Sequence, residues 1–99
     1  MESFLRCTFS PGQFTGEYAV SGRQSNQEGF SLFVSQNHVD LDNSFADHYP
    51  VEGWLRIKIV EQKGKDVVVR LPARSLEGGQ YVTVRCDQLR SVHPQDARP

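Results

Sequence analysis

The clearest alternation of apolar and polar positions lies in residues 54–71, where two stretches of period two flank Gly64. Period two is typical of β-strands, because successive side chains of a strand point to opposite faces. The pattern therefore predicts a β-hairpin with one apolar face. That face consists of Leu55, Ile57, Ile59, Val67, Val69 and Leu71.

The register of this hairpin follows from keeping its apolar positions opposite one another. A three-residue loop at 62–64 does so, because it pairs Ile59 with Val67 and ends on a glycine that accepts positive φ. The same register places Arg56 opposite Arg70. Like charges directly across a ladder are mildly unfavourable, so this outer surface suits an anion or an acidic partner.

Shorter stretches with the same alternation predict more strands. These strands are 4–9, 17–20, 30–34 and 80–86. Residues 38–53 are the longest irregular segment and are predicted to be a loop, whereas 87–90 suit a short helical turn. No internal repeat is evident, and apolar spacing of three and four is nowhere sustained, so we expect no long amphipathic helix.

These elements predict one mostly β domain over residues 1–92, followed by a polar C-terminal tail at 93–99. Five or six strands separated by turns suit a small antiparallel barrel, SH3-like or OB-like, with little helix. A chain of 99 residues is long enough to bury one core without disulfides or metals. The two barrel names are analogies of architecture, and an architecture does not transmit a function.

Charge is unevenly distributed along the chain, although the formal net charge is only −1. Residues 1–50 carry two cations and six carboxylates, a net charge of −4, whereas residues 51–99 carry nine cations and six carboxylates, a net charge of +3. The small overall charge argues against a general nucleic-acid binder. The asymmetry indicates instead a local cationic surface in the second half.

Neither a membrane span nor a secretory signal is evident. No apolar run approaches the ~18 residues of a spanning helix, and the first residues lack the long apolar stretch of a signal peptide. We therefore expect a cytoplasmic protein that does not enter a membrane. Cys7 and Cys86 fall on the inward pattern of the first and last strands, which predicts buried, reduced thiols. The sequence leaves open whether these two cysteines are paired.

Six outward positions of the predicted sheet combine cations with aromatic rings. Exposed strands often carry such side chains only to stay soluble, so a solvated face is the plain alternative. Cations beside rings also suit single-stranded nucleic acid, because cations hold phosphates and rings stack on bases. The candidate binding residues are Trp54, Arg56, Lys58, Arg70, Tyr81 and Arg85.

The acidic segment 38–48 carries carboxylates and imidazoles at spacings that bear on metal binding. The oxygen and nitrogen donors of the segment are His38, Asp40, Asp42, Asn43, Asp47 and His48. The segment lacks the glycine and the glutamate that a calcium loop needs at its sixth and twelfth positions. We therefore expect no metal site but a solvated acidic loop, which attracts a basic partner or folds against the cationic face of its own domain. Cation binding by 38–48 is left open.

The sequence contains no recognisable catalytic set, phosphate loop or cofactor motif. The leading hypothesis is accordingly a non-catalytic module without a cofactor, which binds a protein or peptide through the cationic and aromatic face. The alternative is single-stranded nucleic-acid binding by the same face, and a small metal-dependent enzyme ranks third. The oligomeric state stays undetermined at this stage.

Overall fold

A computed structural model describes residues 2–42 and 49–91 as a mostly β domain. Its eight strands are β1 (Glu2–Pro11), β2 (Glu17–Arg23), β3 (Gly29–Ser35), β4 (Val39–Leu41), β5 (Val51–Lys63), β6 (Asp66–Arg70), β7 (Tyr81–Arg85) and β8 (Leu89–Ser91). A 3-10 turn precedes β4, and a second one precedes β8. In the described ranges, no helix has the length and apolarity needed to cross a membrane.

Six of the strands form one continuous antiparallel sheet in the order β3-β2-β1-β5-β6-β7, while β4 pairs with β5 and β8 pairs with β1. The sheet curls into a half-barrel. Hydrogen bonds from two loops join its edge strands, β3 and β7. The Ser25 amide donates to the Thr83 carbonyl at 2.8 Å, and the Leu76 amide donates to the Ser31 carbonyl at 2.7 Å. The prediction of a small, mostly β, barrel-like antiparallel domain is thus confirmed; the two three-residue strands were not predicted.

The core lies on the concave side of the curled sheet, where the inward positions of the alternating pattern are mostly apolar and Ser3 is a buried polar exception. Burial follows the predicted parity, and of the six hairpin positions Ile59 alone is only partly buried. The buried core comprises Leu5, Cys7, Phe9, Val20, Phe30, Leu32, Val34, Leu55, Ile57, Val67, Val69, Leu71, Val82 and Val84.

The two halves of the chain have the same architecture. In each half, a long strand is followed by a two-stranded extension, a 3-10 turn and a three-residue strand. The last strand of each half adds to the first strand of the other, since β4 pairs with β5 and β8 pairs with β1. A pseudo-two-fold axis therefore passes between β1 and β5. The central pairs are Phe4 with Arg56, Leu5 with Leu55, and Arg6 with Trp54.

Equivalent residues at the axis lie 50 positions apart, and the sequence retains a trace of this. Residues 2–6 read ESFLR and residues 52–56 read EGWLR. The prediction that the chain contains no internal repeat is therefore wrong at the level of structure. The repeat is hard to see because the core positions have changed identity and the connections differ in length.

The hairpin between β5 and β6 turns differently from the prediction. Its loop is the two-residue pair Gly64-Lys65, and Gly64 has φ of +63°. Glycine at the first central position of a two-residue loop suits a type II′ turn. The ladder is irregular between Ile59 and Glu61, so that Val60 forms a bulge and is 53% exposed.

This bulge changes the register that we predicted. Because of the extra residue, inward positions of β5 still lie opposite inward positions of β6, but with different partners. Ile59 lies opposite Val69 instead of Val67. The predicted pairing of Arg56 with Arg70 is likewise wrong, because Lys58 is the residue opposite Arg70. The positive charges remain neighbours on the same face.

Two connecting segments also differ from expectation. Residues 38–53, predicted as a loop, contain β4 and the start of β5, while 43–48 lie outside the described residues. Cys86 is exposed, contrary to prediction, because β7 ends one residue earlier and the 3-10 turn Cys86–Gln88 redirects its side chain. The predicted tail 93–99 lies outside the described residues.

Candidate binding surface

Three of the predicted binding residues lie side by side across the second half of the sheet. Lys58, Arg70 and Tyr81 are successive register partners on β5, β6 and β7, and we call them the cationic row. All three are exposed, Tyr81 at 60%. Among residues 2–42 and 49–91, neither Lys58 nor Arg70 forms an ion pair with a carboxylate. The row therefore presents two cations without ion pairs beside an accessible ring, and the nearest carboxylate across the ladder is that of Glu2, the register partner of Lys58 on β1.

A cavity of about 230 Å³ opens beside this row, where β4 and β6 leave part of the β5 edge uncovered. We call it the cationic groove. Its floor contains buried Ile57 and Leu71, and its rim contains charged side chains. The groove is lined by Glu2, His38, Arg56, Ile57, Lys58, Arg70, Leu71, Pro72 and Gln80.

The charges that line the groove do not balance. Three cations and the single carboxylate of Glu2 give a net formal charge of +2, with histidine counted as neutral. Arg56 is oriented by an aromatic contact, since its guanidinium carbon lies 5.8 Å from the centre of the Phe4 ring. This contact leaves the guanidinium hydrogen-bond donors available to a ligand.

Trp54 lies on the outward side of β5, as strand parity predicts, but its ring is half-buried. The guanidinium carbons of Arg6 and Arg90 lie 4.8 and 4.6 Å from the ring centroid. Arg90 also lies 5.0 Å from the centre of the Phe4 ring. Because guanidinium groups already lie over these rings, Trp54 and Phe4 do not offer free ring faces for stacking.

The described part of the acidic segment folds against cations of its own domain, but the prediction that it folds against the cationic face is wrong, because its partners are Arg6 and Arg90. Asp40 pairs with Arg90 at 2.7 Å, and Asp42 pairs with Arg6 at 2.6 Å. The hydrogen bond from Arg6 lowers the pKa of the Asp42 carboxyl below its usual value. These pairs neutralise Arg6 and Arg90 and leave the row uncovered.

The donors proposed for a metal do not converge in the described ranges. Asp40 and Asp42 are both engaged by arginines, and Asp47 and His48 lie outside the described residues. Where the structure describes the chain, no group of three His, Cys, Asp or Glu side chains is arranged to hold a metal ion.

Arg85 lies on the same face of the sheet as the cationic row but far from it. It lies at the far end of β7, about 13 Å from Tyr81 at ~3.3 Å per residue. Its register partner is Asp66, and its Nε lies 3.6 Å from a carboxylate oxygen of Asp87. The structure therefore separates Arg85 from the row, and its charge has an intramolecular partner.

The two cysteines are free and lie in different surroundings. Burial raises the pKa of the Cys7 thiol to about 12, and the nearby Glu52 carboxylate acts in the same direction. A thiol with so high a pKa is almost entirely protonated at neutral pH and is a poor nucleophile. Cys7 is therefore a core residue.

A second open cavity, of about 420 Å³, occupies the equivalent place in the first half of the chain. There Thr8 and Ser21 are register partners, as Lys58 and Arg70 are in the cationic groove. Its lining includes one cation, Arg23, and one carboxylate, Glu77, which accepts hydrogen bonds from Ser31. The two cavities thus share a backbone plan and differ in charge.

Sequence reasoning identified the charged members of the groove but missed His38 as a lining residue, together with Gln80 and the apolar floor. His38 was assigned to an acidic loop, and only the strand pairing of β4 brings it beside Arg56. The repeated pentapeptide was the available signal, since it implies that two distant segments occupy equivalent positions.

Comparison with known proteins adds no relative: no family model, no curated protein and no solved structure matches this chain.

Proposed function

We propose that this domain is a non-catalytic interaction module that binds an acidic segment of a partner protein across the cationic row and Arg56. The observation that carries the proposal is the gathering of Arg56, Lys58 and Arg70 on one face, without ion pairs among the described residues. The chain as a whole has a net charge of −1. Uncompensated cations on a rigid sheet favour an oppositely charged partner and accelerate its association.

The aromatic side chains favour a protein partner over single-stranded nucleic acid. A base-stacking platform needs accessible rings along the strand path. Tyr81 is accessible, but Trp54 and Phe4 lie under guanidinium groups. One exposed tyrosine beside arginine and lysine instead matches the composition of protein interfaces, in which tyrosine and arginine are enriched.

The proposal also includes a cytoplasmic setting and a barrel-type binding mode. Free Cys7 and Cys86 suit a reducing compartment. The SH3-like or OB-like analogy stays a prediction about architecture, and it supplies no ligand.

Fluorescence anisotropy with two labelled probes tests the class of partner. One probe is a glutamate-rich peptide, and the other is a single-stranded oligonucleotide of the same net charge. We expect the peptide to bind more tightly, with an affinity that weakens as salt rises, because exposed charge pairs are screened.

Tighter binding of the oligonucleotide would contradict the proposal and support the nucleic-acid alternative. In that case about three cations would neutralise phosphates, and log affinity against log salt would have a slope near −2, at ~0.7 per phosphate of a single strand. Absence of peptide binding at low salt would also contradict the proposal.

A further inference from the structure

The internal duplication provides a comparison between two grooves built on the same backbone plan. Lys58 and Arg70 in the cationic groove correspond to Thr8 and Ser21 in the second cavity, since each pair joins equivalent strands. The cationic groove has a net formal charge of +2, whereas one cation and one carboxylate in the second cavity cancel. The positive charge is therefore specific to one groove and is not a requirement of the fold.

The cationic groove and the second cavity also differ at their entrances, where two equivalent residues make different contacts. In the second half of the chain, the Gln88 amide nitrogen donates to the Arg23 carbonyl at 2.9 Å, which ties the 3-10 turn to the end of β2. The equivalent residue of the first half is His38, which lines the cationic groove together with Pro72, the counterpart of Arg23. The cationic groove thus remains open beside an imidazole.

Resting on the proposed function, we infer that the cationic groove receives a phosphate monoester, a phosphoserine or phosphothreonine of the acidic partner segment. A phosphate monoester carries about −1.5 to −2 charges at pH 7 and three strong acceptor oxygens. This charge balances the net +2 of the groove, which a single carboxylate does not.

The side chains of the rim suit this ligand in the kind of hydrogen-bond donor that they offer as well as in charge. Arg56 and Arg70 offer planar, forked donors that bind phosphate oxygens in pairs, and Lys58 offers a compact point charge. The cavity of about 230 Å³ is small enough to select a group instead of a whole helix or loop.

Inorganic phosphate is the first probe, used with isotope-labelled protein at constant ionic strength and with chloride as the reference anion. We expect saturable amide shifts at residues 56–58 and 70–71. Shifts that do not saturate, or that spread evenly over all cationic positions, would overturn the inference.

The second cavity supplies the natural substitutions for the groove. The variant Lys58→Thr with Arg70→Ser installs the side chains that the equivalent backbone positions already carry, so we expect it to fold and to bind phosphate at least tenfold more weakly. The matched control, Lys63→Thr with Arg74→Ser, removes the same charges at exposed positions elsewhere. Equal loss in both variants would mean that only net charge matters and would overturn the inference.

A pair of peptides separates this inference from the proposed function. The two share one acidic sequence, and a serine is phosphorylated in only one of them. Tighter binding of the phosphorylated peptide by at least tenfold supports the inference. Equal binding of the two peptides overturns the inference and leaves the proposed function intact. If neither peptide binds, the proposed function is overturned, and so is the inference that the phosphate belongs to a peptide.

Discussion

Truncation of either central leucine, Leu5→Ala or Leu55→Ala, is expected to lower the free energy of unfolding by about 2–5 kcal/mol. The two residues face each other across β1 and β5 at the pseudo-two-fold axis, and both are 0% exposed. Each truncation removes buried apolar atoms and leaves a cavity that the strands around it cannot fill, because both long strands are held by partners on either side.

Urea unfolding monitored by circular dichroism gives the free energies. Leu76→Ala is the matched control, because this leucine is 64% exposed in the connection after β6 and its truncation should change stability by no more than about 0.5 kcal/mol. The pseudo-symmetry predicts similar costs for Leu5 and Leu55. A cost at either position as small as that of Leu76 would contradict the central place of the β1–β5 pair.

Charge reversal at the cationic groove, Arg56→Glu with Arg70→Glu, is expected to weaken binding of an acidic peptide by about 30-fold. Each exposed pair contributes up to ~1 kcal/mol, so removing two attractions and adding two repulsions costs roughly 2 kcal/mol, at 1.4 kcal/mol per factor of ten. Both residues are exposed, so the fold should persist. Anisotropy titration gives the affinity, and circular dichroism confirms the fold.

The control for this reversal is Lys63→Glu with Lys65→Glu. It makes the same change in net charge at the exposed tip of the β5–β6 hairpin, away from the groove. We expect a loss of affinity of no more than a few-fold at physiological salt, because charges beyond a Debye length of about 8 Å are largely screened. Equal losses in the two variants would show that the peptide senses overall charge and not this surface.

Much of the architecture follows from local patterns in the sequence. Period-two alternation correctly places Leu5, Cys7 and Phe9 in the core, because a half-buried strand buries alternate residues. The positive φ of Gly64 was also predicted correctly, since a tight hairpin needs a residue that accepts it. These features depend on neighbours in the chain.

The features that escaped prediction depend on contacts between distant segments. The bulge at Val60 adds a residue without any change in polarity, so the pattern alone does not reveal the shifted register. The exposed position of Cys86 results from the end of β7 and the turn that follows it. Parity correctly placed Trp54 on the outer face, but its burial is caused by Arg6 and Arg90 on other strands.

The candidate site likewise has features that follow from local patterns and features that depend on contacts between distant segments. Lys58, Arg70 and Tyr81 were predicted to share a face, and strand pairing places them side by side. The groove next to them was not predictable, because it is created where β4 leaves part of the β5 edge uncovered, and β4 lies in a segment that reads as a loop.

The most direct measurement is an amide chemical-shift map of the isotope-labelled domain during titration with the acidic peptide. We expect saturable shifts confined to residues 56–58, 70–71 and 80–82, with little change around Arg6 and Arg90, whose charges are already paired. Shifts centred on the second cavity, around Ser21 and Glu77, would contradict it and would place the binding surface in the other half of the duplicated fold.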